Sequence, residues 1–140
     1  RPLRRCGTQD DRPIRLFRKD AARWTGDVHE VLKVQGRVGR LDHWLVHRTY
    51  DHLGQYFEKM HRYTSLQAQE RMIAGRVPRH IDPWWAPVRE VLRRMLYKGG
   101  LLDGPEGWAF CLLSGVSEWT LAKKHRWLFL EQIAGKEARR

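Results

Sequence analysis

Cysteine is scarce. The 140 residues hold two, Cys6 and Cys111, far apart and at no metal-binding spacing. That excludes a disulfide scaffold and a local Cys/His zinc site, and it predicts two free thiols in a reducing compartment. Acidic side chains are also in short supply, 16 against 27 Lys and Arg, which sets the formal charge at +11 and the pI near 10.4. Such a balance calls for an anionic partner: nucleic acid, a membrane surface or phosphorylated substrates. Long apolar runs are missing. The most apolar stretch, Trp108 to Val116, is bracketed by Glu106 and Glu118. It is less than half the ~20 residues that a bilayer span requires. No secretory leader is visible; the chain opens Arg-Pro-Leu-Arg-Arg without an initiator Met and reads as a cut through a longer protein. Internal repeats and low-complexity segments are absent.

What is present divides into a strand-like and a helical part. The length suits one domain with a single core. Residues 1–12 are basic and irregular. Residues 13–18 alternate as a strand through Ile14 and Leu16, and 19–27 read as a polar loop. Two further β-rich runs, 28–34 and 40–47, flank Gln35-Gly-Arg-Val-Gly39 and predict a hairpin or a return strand. After Tyr50 the period changes. Leu53, Tyr56, Phe57, Met60, Tyr63 and Leu66 recur at three and four residues, the pattern of an amphipathic helix capped by Thr49 or Asp51 and ended by Gly75. A second helix begins at Asp82-Pro83, or at about 87 if Pro87 resets its start, with Val88, Val91, Leu92 and Met95 as its stripe and Gly99-Gly100 as its stop. Asp103 and Pro105 then open a third helix, rich in Trp, Leu and Phe. The fold class is therefore α+β: short strands in residues 1–50, then three amphipathic helices in 51–140.

Several groups in this pattern could carry chemistry. His29 and Glu30 stand side by side just beyond Gly26 and Asp27, at the mouth of a predicted strand, where a rigid element meets a flexible glycine. An ordinary strand with one face solvated gives the same pattern. Gln55, Lys59 and Arg62 share one face of the first helix, either as a solvated row or as an anion site. Arg89, Arg93, Arg94 and Lys98 form the basic side of the second helix, while Trp108, Trp119 and Trp127 recur along the third. Helices with Arg/Lys on one side and Trp/Leu/Phe on the other are suited to the headgroup layer of an anionic membrane. The same stripes would equally serve to pack on the rest of a protein. For metals, His43 and His47 are the only histidines at helical spacing, and no cluster supplies the three or four ligands zinc needs. Nucleic acid is not expected, because the arginines are dispersed and no recognition motif is present.

The order of segments resembles a known family. Arg15-Leu-Phe-Arg18, Val28-His-Glu30, Leu45-Val-His-Arg-Thr-Tyr50, Tyr56-Phe-Glu-Lys59 with Arg62-Tyr-Thr64, and Leu102-Asp-Gly104 with Gly107 are similar to the C-terminal half of bacterial family 2 glycosyltransferases, of the lipopolysaccharide core-type branch. The resemblance covers about residues 13–130. It implies the acceptor-side part of a GT-A fold, separated from the nucleotide-sugar-binding half and its Asp-x-Asp motif, which does not occur here. It implies an inverting transfer from a nucleotide-sugar donor to a lipid-linked saccharide, at the cytoplasmic face of the inner membrane. In that scheme Glu30, with Asp27 in reserve, is the carboxylate base. His29 and His47 serve the diphosphate side, and Lys59 and Arg62 neutralise the departing diphosphate. A divalent metal, Mg²⁺ or Mn²⁺, would be held mainly by the missing half, and the helical region would face the membrane. A basic amphipathic module without enzymatic activity, binding anionic membrane or nucleic acid, is the competing expectation.

Overall fold

The computed structural model describes residues 3, 5–7, 13–25, 31–41, 50 and 52–138. They fall into two compact units, one of residues 12–51 and one in which residues 1–11 join residues 52–140. The element content is α+β and mostly helical: a two-stranded antiparallel hairpin followed by three helices.

In the smaller unit, β1 (Ala22–Thr25) pairs with β2 (Val31–Val34), with Ala22 opposite Val34 and Thr25 opposite Val31. This differs from the sequence expectation in three places. Residues 13–18 form no strand among the described residues, and Leu16 lies open to solvent. The 19–27 stretch, expected as a loop, supplies a short 3-10 turn (Lys19–Ala21) and then β1. Among the described residues, the strand paired with β2 is the one that precedes it. The physical reason is that this sheet buries neither face, so polar Arg23 and Thr25 pair as readily as an alternating apolar segment would. Local contacts fix it: Phe17 meets Trp24 edge to face with ring centres 6.4 Å apart, and Gln35 N–H donates to the Ala21 carbonyl at 2.8 Å. Residues 42–49, most of the other expected strand, lie outside the described residues, as do the expected caps Thr49 and Asp51.

In the larger unit, α1 (Leu53–Ile73) is capped by His52, whose Nδ1 accepts from the Gln55 N–H at 3.4 Å. It ends where Gly75 turns left-handed (φ 66°), with Gly75 N–H bonded to the Met72 carbonyl and Arg76 N–H to that of Arg71. These two bonds close the Schellman arrangement that glycine permits. The expected apolar stripe is only partly the buried one. Leu53, Phe57 and Tyr63 are exposed, whereas Met60, Thr64 and Ala68 are buried. The small side chains of Thr64 and Ala68, one turn apart, let α1 lie close to its neighbour.

Helix α2 (Asp82–Leu92) runs through Pro87 without restarting, and the Asp82 carboxylate accepts from the Arg79 N–H at 2.9 Å. Pro87 forfeits one intrahelical bond. It sits where α2 crosses α3: a Cβ on Gly115 would lie 2.6 Å from Val91 Cγ2 and 3.4 Å from the Pro87 carbonyl oxygen. The helix then widens into a π turn over Arg93–Tyr97, closed by Lys98 N–H to the Arg93 carbonyl, and stops at left-handed Gly99. A 3-10 turn (Gly100–Asp103) leads into α3 (Gly104–Glu137), 34 residues long. Asp103 occupies the N-cap position, as expected, but its carboxylate makes no capping bond. The core is thin and linear. Met60, Thr64 and Ala68 of α1 and Cys111, Ser114, Leu121, Ala122 and His125 of α3 are buried along α3, which packs against both α1 and α2.

Candidate functional site

An apolar groove lies between α2 and α3. Val88, Val91 and Leu92 of α2 and Leu112, Val116 and Trp119 of α3 line an open cavity of about 430 Å³, with Pro87 and Gly115 at the crossing. Gly115 creates the shape: with no side chain there, the backbones meet closely while the flanking large residues splay outward. On α3 the exposed residues Trp108, Leu112, Val116, Trp119, Trp127 and Leu130 follow one another at three, four and eight residues, so they form a continuous stripe down one side. Lys123 interrupts the stripe, and its ammonium lies 5.6 Å from the Trp119 ring centre. Helix α2 adds Trp84 (70 % exposed) and Trp85 (53 % exposed). Monomeric soluble proteins rarely leave apolar surface of this extent uncovered. Trp84 and Trp85 were not singled out from sequence; an adjacent tryptophan pair in the first turn after Pro83 was the available signal.

The basic side chains of α2 are engaged in different ways. Glu90 receives two bonds from Arg93, at 2.9 and 2.8 Å, and one from Arg94 at 2.6 Å. Burial would raise the Glu90 carboxyl, but these guanidinium hydrogen bonds and charges outweigh it and hold the group below its usual range. Arg94 also donates to the Cys6 carbonyl at 2.8 Å and lies 5.1 Å from the Phe110 ring centre. It is part of the fold's interior, not an outward-facing charge. Lys98 stands over Tyr97, its stem beside Gly7, and Arg89 is exposed. Between residues 82 and 137 the sequence counts eight Lys/Arg against seven Asp/Glu, so the charge excess lies almost wholly elsewhere in the chain.

Lys59 and Arg62 are exposed on α1, on a different face from Met60, Thr64 and Ala68. Asp27, His29, Glu30 and His47 lie outside the described residues. Among the described residues, no group of three or more His, Cys, Asp or Glu could hold a metal ion, and no helix is long and apolar enough to cross a membrane.

A polar node joins α1 to α3. Lys124 Nζ donates toward the His61 carbonyl at 2.7 Å, Ser65 Oγ at 2.8 Å, His61 Nδ1 at 2.9 Å and Thr64 Oγ1 at 3.0 Å. Desolvation lowers the Lys124 pKa. With acceptors on every side, this ammonium acts as a helix–helix clasp. No protein-family model, curated protein or solved structure matches the chain.

Proposed function

We propose that the chain is the membrane-facing, acceptor-side part of an inverting glycosyltransferase, seated on the bilayer surface by the α2–α3 face. The observation that carries this reading is the set of five exposed tryptophans on α2 and α3, Trp84, Trp85, Trp108, Trp119 and Trp127, of which Trp119 lines the apolar groove. Tryptophan favours the headgroup layer, where the ring is buried and the indole N–H stays wet. Helices lying in that layer bury apolar faces without spanning it. The +11 charge of the whole chain favours anionic lipid, even though residues 82–137 contribute little of it. Insertion and attraction are thus separated: aromatics insert, and charge outside the helix pair attracts.

The transferase part rests on the ordered motifs from Arg15-Leu-Phe-Arg18 to Gly107. The hairpin unit fits it, since no described residue of 13–25 or 31–41 is buried. A two-stranded hairpin with neither face covered is marginal in water, so a further layer of protein is called for. In this reading Glu30 takes the proton from the acceptor hydroxyl as it attacks the anomeric carbon, with Asp27 in reserve. His29 and His47 serve the diphosphate side, and the exposed Lys59 and Arg62 offset the charge of the departing diphosphate. The metal belongs to the nucleotide-binding half; the described residues offer it no ligand set, and no step here is assigned to it.

The test is flotation with phosphatidylcholine vesicles, with and without phosphatidylglycerol, read together with tryptophan emission. The expected result is co-flotation that rises with the anionic fraction, accompanied by a blue shift. Absence of both the shift and flotation at every composition removes the membrane role. A concentration-dependent dimer that hides the tryptophans without lipid assigns the face to a second copy instead.

A further inference from the structure

Cys6 and Cys111, 105 positions apart, are brought together at the start of α3. Both side chains are fully buried, and their sulfurs are 4.0 Å apart. The arrangement is built from both sides. Residue 6 is held by all its polar groups: its N–H donates to the Lys98 carbonyl at 3.1 Å, its carbonyl accepts from Arg94 at 2.8 Å, and its thiol donates to the Asp103 carboxylate at 3.4 Å. The same Asp103 oxygen accepts from the Arg5 N–H at 2.7 Å. Gly100 provides the room, since a Cβ there would sit 2.7 Å from the Cys111 sulfur and 2.9 Å from that of Cys6. Cys6 adopts φ 65°, which strains any residue with a Cβ, so its hold on this position is less secure than that of Cys111 inside a helix.

We propose that Cys6 and Cys111 are a modification site: a dithiol that a small-molecule disulfide converts into an intramolecular disulfide, fastening residues 5–7 to α3. A disulfide needs its sulfurs at about 2.05 Å, so they must approach by roughly 2 Å, which the loop side can supply. The steps balance as thiol–disulfide exchange. When the segment leaves its seat, the Cys6 thiolate attacks the reagent, forms a mixed disulfide and expels one reagent thiolate. On return, the Cys111 thiolate attacks the Cys6 sulfur, forms the internal bond and expels the second. Two protein thiols are oxidised, one reagent disulfide is reduced to two thiols, and both protein protons pass to those products. In the seated state, burial, the Asp103 hydrogen bond and the neighbouring Cys111 push the Cys6 thiol up to about 12. Thiolate is then scarce, and oxidation follows the opening of the segment.

The test incubates the folded chain with oxidised glutathione, then quenches with acid and counts thiols after denaturation. The expected result is loss of both thiols, a monomer lighter by two hydrogens, and a peptide pair linking positions 6 and 111 that a reductant separates. Arg94→Gln, which frees the Cys6 carbonyl, should speed closure about tenfold or more, the population change for one lost charge-assisted bond. Survival of both thiols under conditions that oxidise the urea-unfolded chain overturns the proposal. So does a product that stops at one glutathione adduct, or one that links two chains. An unchanged rate in Arg94→Gln overturns the opening route.

Discussion

Arg94 holds the Cys6 carbonyl at 2.8 Å from a position 88 residues further along the chain, and the same guanidinium holds Glu90 at 2.6 Å. A basic residue that looks like one of a row on an amphipathic helix is therefore the anchor of the N-terminal segment. Arg94→Gln should cost about 2–3 kcal/mol, the range for hydrogen bonds to charged groups. Arg89→Gln, on the exposed side of the same helix, should stay within about 0.5 kcal/mol. Urea unfolding of the two variants side by side is the measurement, and equal midpoints would contradict this assignment.

Gly107 faces backbone. A Cβ there would lie 2.5 Å from Asp103 Cβ and 2.6 Å from the Gly100 carbonyl oxygen. Neither can swing aside, so Gly107→Ala should destabilise by about 1–3 kcal/mol. Gly135, with nothing within 4 Å of its added Cβ, is the control, and its change to Ala should be neutral or stabilising.

Alkaline pH should loosen the N-terminal segment. The Cys6 pKa is raised from 9.0 to about 12, so the folded chain holds this proton more tightly than the unfolded chain. Its contribution is fully present below pH 9 and is lost as pH climbs through about 12. Lys124 acts in the opposite sense. Its lowered pKa means stability is gained as pH rises through that value toward 10.5. The stability difference between the native chain and Cys6→Ala cancels the lysine and should shrink steadily from pH 9 upward. A difference flat across that range contradicts the buried-thiol account.

Removing one exposed tryptophan of α2 or α3 should weaken vesicle partitioning. Trp119→Ser and Trp84→Ser should each lower the partition coefficient about tenfold, the scale of leaving one large side chain uninserted. Trp24→Ser, in β1 of the other unit, should leave it unchanged.

Joined to a nucleotide-binding half, Glu30→Gln should lower transfer by about 10²-fold or more while donor binding persists. Near-normal turnover in that variant removes Glu30 from the base role.

The helices were legible because their residues announce themselves locally. The three-and-four spacing from Leu53 onward, Gly75, Asp82-Pro83 and Gly99 mark boundaries through backbone preferences that act within a few residues. Strand β1 was read as loop because alternation reports a buried face, and no residue of β1 is buried. Which face of α1 is buried was misread for a related reason: Thr64 and Ala68 are buried by the close approach of α3, which no property of α1 alone encodes. The meeting of Cys6 with Cys111, and of Arg94 with the Cys6 carbonyl, is created by chain return over some ninety to a hundred residues. Spacing carries no signal for contacts of that kind. Of the site residues, Lys59, Arg62, Trp108, Trp119 and Trp127 lie exposed on helices.

Residues 1–11 group with the helices while 12–51 form a unit of their own, so the hairpin unit is an excursion that leaves the helical body and returns to it. Each of its ends continues into the same body, which makes the connection double. A protease that nicks the excursion once does not separate the units: one half stays on α1, and the other stays on Cys6 through Lys98, Arg94 and Asp103. Those bonds, with that of the Arg5 N–H to Asp103, would then help hold the cleaved N-terminal piece. A cut within the excursion, followed by a search for residues 1–11 among the released fragments, therefore reads directly how firmly the N-terminal segment holds to the helices.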